Sequence, residues 1–162
     1  MAIVAEPADR SGLVNVPLAP DRLVVIVPPR QPISVNANGA LSFGEILNHR
    51  LIAVREKASL TQFISRIAWE MGRKPLYRIH LDGFEGVARM VEAGAGIAIV
   101  PASAASRYSA FIRYQTVPIE DPRAGNMLYL CARDIEQLPN HARELFGHLE
   151  QYVRTMGDPV SP

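Results

Sequence analysis

Apolar residues recur along this chain in two rhythms. Short runs rich in Val, Ile and Leu, at residues 2–5, 14–18, 23–27, 51–54, 76–81, 97–100, 112–117 and 127–132, have the length and β-branched content of strands. Between several of them the apolar positions return every three to four residues, the period of a helix face. Leu60, Phe63, Ile64, Ile67, Ala68 and Met71 form one such stripe, ending at Gly72. Phe84, Val87, Ala88 and Val91 form another, ending at Gly94. Glycine suits both stops because a helix commonly terminates on a left-handed residue. A last stripe, Ala142, Leu145, Phe146, Leu149, Tyr152, Val153 and Met156, starts near Pro139, stops at Gly157 and Pro159, and needs a sheet to dock on. Strands alternating with helices predict an α/β fold with crossover helices and largely parallel strands.

Three helix starts are marked by side chains that can satisfy orphan amides. Ser42 with Glu45, Ser59 with Gln62, and Asp82 with Glu85 each have the residue types of a capping box. The starts at Ser59 and Asp82 directly follow predicted parallel strands. Ligands of open α/β sheets bind at the carboxyl ends of strands, where helix amino termini present amides and a positive dipole end. Ser59 and Thr61 are therefore candidate ligand contacts, although capping alone also accounts for Ser59. Asp82 is the weaker candidate, since its carboxylate repels the anions that a helix start favours.

Composition narrows the partners. The formal net charge is +1 and the basic residues are scattered, so no electrostatic stripe addresses a phosphate backbone. The apolar runs are strand-sized and far too short to cross a bilayer, and no basic start with a long apolar centre marks a secretory signal. The cytoplasm is the expected location. The single cysteine, Cys131, lies in an apolar run and reads as a buried strand residue.

Catalytic and metal chemistry find no support in the motifs. Gly94 and Gly96 follow a helix and precede a strand, the reverse of a phosphate-cradling loop, and read as a helix stop and a tight turn into the strand. His141 and His148 stand two helical turns apart, about 10 Å, too far for one metal ion. Glu120 and Asp121 sit in a Pro-flanked turn. No catalytic residue, metal site or cofactor is assigned.

The runs Ala2-Ile3-Val4-Ala5, Asp21-Arg22-Leu23-Val24-Val25-Ile26-Val27-Pro28 and Gln31-Pro32-Ile33, and above all the stretch from Met90 to Pro101 containing Glu92-Ala93-Gly94-Ala95-Gly96-Ile97, resemble the effector-binding domain of LysR-type transcriptional regulators. Gln31 departs from the family's usual histidine. The resemblance implies a type 2 periplasmic-binding-protein-like fold of two lobes. On it, residues 28–130 are expected to form a complete second lobe, and residues 1–27 and 131–162 part of the first. The family's winged helix-turn-helix, and the first strand and helix of its sensing domain, have no counterpart in these residues. The implied function is non-catalytic: binding a small organic acid or aromatic effector in an interlobe cleft to control transcription, with DNA reached only through a domain outside these residues. The implied contacts are Ser59, Leu60, Thr61 and Phe63 at one helix start, Gly83 and Phe84 at another, and Pro101 after a strand. A dimer is expected from unpaired sheet edges. The competing readings are an enzyme on the same two-lobed fold and a solute-binding protein that feeds a transporter.

Overall fold

In the computed structural model, which describes residues 1–5 and 11–156, the apolar runs become, in chain order, β1 (Ala2–Ala5), β2 (Val14–Pro20), β3 (Leu23–Val27), α1 (Phe43–Ile46), β4 (Arg50–Val54), α2 (Ser59–Glu70), β5 (Leu76–Leu81), α3 (Phe84–Glu92), β6 (Ala98–Pro101), α4 (Ala102–Ser109), β7 (Gln115–Pro118), a 3-10 turn at Pro122–Ala124, β8 (Met127–Ala132) and α5 (Asn140–Met156). Contacts divide the chain into two compact units, one of Met1–Asp21 with Gly125–Pro162 and one of Arg22–Ala124. The expected lobe limits, at residues 28 and 130, differ from these. Pairing accounts for the difference: β3 binds β6 and β7, and β8 binds β1 and β2.

The first unit is a three-stranded antiparallel sheet in the order β1–β8–β2, with α5 against it. Leu130 and Ala132 of β8 and Val16 and Leu18 of β2 point to one face, where they meet Phe146 of α5. Phe146 is buried, whereas Leu145 and Tyr152 of the same predicted stripe are about half exposed. Gly157 and Pro159, the expected stop of this helix, lie outside the described residues. Cys131 is buried in β8 as its apolar setting requires, with its thiol 3.1 Å from Asn15 Oδ1.

The second unit is built on β3, of which all residues but Val24 are buried. It is flanked by β6 and β7, both antiparallel to it. β4 and β5 are parallel, and a parallel bridge from Leu51 to Ile97 joins them to the start of β6. There the Ile52 amide donates to the Ile97 carbonyl at 2.8 Å and the Ile97 amide to the Arg50 carbonyl at 3.0 Å. One face buries Leu51, Ile64, Ile67 and Ala68 together with α1, the other Ile52, Val87, Ala88 and Val91. The expectation of largely parallel strands is thus corrected. Among the described residues only β4 and β5, with the bridge to the start of β6, pair in parallel, and every other pairing between the named strands is antiparallel.

Gly72 and Gly94 have φ of 67° and 78°, the left-handed stops predicted for α2 and α3. Ser42 forms the complete capping box with Glu45. The other two boxes do not form. Ala58 is the N-cap of α2 and Gly83 that of α3, and neither has a side-chain capping bond. Each helix takes its cap one residue to the side of the polar candidate, and Asp82 is engaged elsewhere. α4 was not foreseen, because Ala102–Ser109 is a run of small and polar residues of which only Ala105 is fully buried.

Candidate functional site

Because β4, β5 and β6 are parallel, their carboxyl ends lie along one edge of the sheet in the second unit, and each leads into a helix there. The three N-caps, Ala58, Gly83 and Pro101, have extended backbone and no side-chain capping bond. The first amides of a helix have no partner within it, so an edge carrying three such starts is rich in donors and in positive dipole ends. The Ala102 amide is already used, donating to the Arg22 carbonyl at 2.8 Å.

The structure brings the predicted residues to this edge but gives them different duties. Ser59 and Gly83 are exposed. Leu60 and Phe63 are partly buried against the core beneath α2, and Phe84 against the core beneath α3. Arg66 lies over the Phe63 ring, 5.5 Å from its centre. Pro101 ends β6 opposite Leu23 and starts α4. Thr61 turns inward: it is 1% exposed, and its hydroxyl donates to the Val54 carbonyl at 3.0 Å. Its own carbonyl accepts from the Tyr77 hydroxyl at 3.2 Å, and that hydroxyl also lies 3.1 Å from Ser65 Oγ. Burial raises the Tyr77 pKa above the usual phenol value. Thr61 therefore holds the first turn of α2 to the end of β4 instead of offering its side chain outward.

Arg55 was not singled out by sequence. It follows β4 as Asp82 follows β5, and the two meet at 2.7 Å across the parallel pair. The Arg55 hydrogen bond, followed by its charge, holds the Asp82 carboxyl below the usual carboxylate range, and Asp82 raises Arg55 in turn. Both side chains are largely exposed, so the pair is worth little as stabilisation. Its signal in the sequence is opposite charge at equivalent places after two neighbouring strands. No group of three or more His, Cys, Asp or Glu able to hold a metal ion occurs among the described residues. No helix among them is long and apolar enough to cross a membrane.

Comparison with known proteins gives this geometry a family. The model described as the LysR substrate binding domain matches residues 1–154. No curated protein matches the chain by sequence. Among solved structures, the CcmR regulatory domain of Synechocystis in complex with 2-PG is similar with a TM-score of 0.80 at 16% identity, over 95% of this chain and 73% of that one. The BenM effector-binding domain with its effector benzoate gives 0.74 at 19% identity, over 99% of this chain and 72% of that one. Full-length BenM gives 0.72 at 19%, over 99% of this chain and 53% of that one, so the chain spans about half the length of that relative. These likenesses establish a type 2 periplasmic-binding-protein-like α/β fold, and the match over nearly all of the sequence places the chain in the LysR substrate-binding domain family.

Proposed function

We propose that this chain is the ligand-sensing part of a LysR-type transcriptional regulator. Its effector is a small organic acid, received at the carboxyl ends of β4, β5 and β6. The observation that carries this reading is the alignment of three helix starts without side-chain caps on one sheet edge. Amides and dipole ends so placed suit a carboxylate, and the partly buried Leu60, Phe63 and Phe84 supply apolar surface beside it. BenM's benzoate is a ligand of that kind. Ser59, Leu60, Gly83, Phe84 and Pro101 are the proposed contacts, with Phe63 behind them and Thr61 acting through the position of α2.

In this reading the protein carries out no reaction. Effector binding shifts the balance between conformations in proportion to its differential affinity for them, and a DNA-binding domain outside these residues reports the shift. The setting is the cytoplasm, and the protein self-associates. A thermal-shift screen of organic acids and their amides tests the proposal. At a hundredfold excess over Kd a specific ligand stabilises the fold by about 2.7 kcal/mol, so the expected result is an acid that raises Tm while its amide does not. A panel of acids, benzoate and shikimate included, without any effect on Tm would count against it.

A further inference from the structure

A second feature lies at the other end of the same strands, about 13 Å away along β4. Arg50 opens β4 beside Leu76 of β5, and the register between the strands slips immediately afterwards: Leu51 faces Tyr77, but Ile52 faces Ile79. Arg78 is the residue left without an opposite number, a β-bulge on an edge strand. A bulge re-aims the side chains around it. Here Tyr77 packs on the α2 side and Ile79 on the α3 side. Arg78 reaches the Ala95 carbonyl, just beyond α3, with Nη1 donating at 3.1 Å.

The result is an open surface pocket of about 260 Å³ lined by Arg50, Leu76, Tyr77 and Arg78. Its chemistry is lopsided. Two arginines line it, and no carboxylate lies within ion-pair distance of either among the described residues. Arg78 spends one of its five N–H donors on Ala95. Leu76, 56% exposed, and the Tyr77 ring supply apolar wall.

We propose that this pocket is a second ligand site, distinct from the helix-start edge, that takes a small carboxylate with an apolar body. The carboxylate bridges Arg50 and the free N–H groups of Arg78, and the body lies against Leu76 and Tyr77. Forked guanidinium donors match a carboxylate's two oxygens, which a lone ammonium does not.

Titration of the 15N-labelled protein with benzoate, with benzamide as the neutral control, tests this by NMR. Benzoate is expected to move the arginine Nε–Hε signals of Arg50 and Arg78 and the amides of residues 76–78 and 95, and benzamide to leave them in place. Arg50→Gln and Arg78→Gln, both at exposed positions, should each weaken these shifts about tenfold or more in apparent Kd, as loss of a charge-assisted bond requires. Shifts at residues 59–61 and 83–84 report the helix-start edge separately and should survive both substitutions. Equal response to benzamide, unchanged binding in both variants, or saturation by a glutamate-rich peptide at lower concentration than benzoate would each overturn the assignment.

Discussion

Gly96 shows how far single positions constrain this fold. A β-carbon there would sit 2.4 Å from the Arg50 carbonyl oxygen, the acceptor that joins the start of β6 to β4. Neither backbone can yield without breaking that bridge. Gly96→Ala is therefore expected to cost at least about 2 kcal/mol in urea denaturation, the range of overpacking at a rigid contact. Thr61 makes a subtler case. Thr61→Val keeps the shape but removes a donor to the Val54 carbonyl, and should cost about 1 kcal/mol of stability. Effector affinity should change little, since the side chain faces inward. A strong loss of binding without loss of stability would show that the hydroxyl meets the ligand. Asp121 adds a pH dependence. Hydrogen bonds from Arg123, at 2.7 and 2.9 Å, hold its carboxyl below the usual range. A lowered pKa in the folded state stabilises above the unfolded value of about 3.9 and is lost as pH falls through the folded one. Asp121→Asn should therefore lower stability near neutral pH and flatten the acid limb of a stability–pH curve. An acid limb unchanged by the substitution would contradict this.

Among the elements, the helix starts separate what the sequence made legible from what it concealed. The Ser-x-x-Glu pattern at Ser42 forms its box, with Glu45 lowered in pKa by the Ser42 backbone and side-chain hydrogen bonds. Similar patterns at Ser59 and Asp82 locate their helices within two residues but do not cap them. Ser42→Ala should thus cost about 1 kcal/mol, and Ser59→Ala within about 0.5 kcal/mol of nothing, in parallel denaturation curves. Equal losses would mean that Ser59 caps after all. Strands were legible because runs such as Leu23–Val27 carry their burial in composition. Their directions were not, since local apolar patterning is the same whichever way a neighbour runs. α4 escaped for want of an apolar stripe, and the Arg55–Asp82 pair because its partners stand 27 residues apart. The arginine pocket escaped too, because the bulge at Arg78 depends on the register with β4.

At the scale of the molecule, the first unit leaves β1 at the edge of its sheet. Ala2–Ala5 carries neither charge nor proline, and Ile3 is 56% exposed. The opposite edge, β2, is blunted by Pro17, Pro20 and a register slip. Pairing through β1 is the expected route of self-association, and Ile3→Lys should shift the light-scattering mass toward monomer. A mass unchanged by that substitution would place any association elsewhere. The central proposal concerns the second unit, where three parallel strands end together and lead into helices without side-chain caps. It is tested most directly by a crystal structure of the protein with the acid that most raises its Tm. The expected result is the acid's carboxylate on the amides at the starts of α2 and α3, beside Ser59, Leu60 and Phe84. A structure in which no ligand occupies the carboxyl ends of β4, β5 and β6 would contradict it.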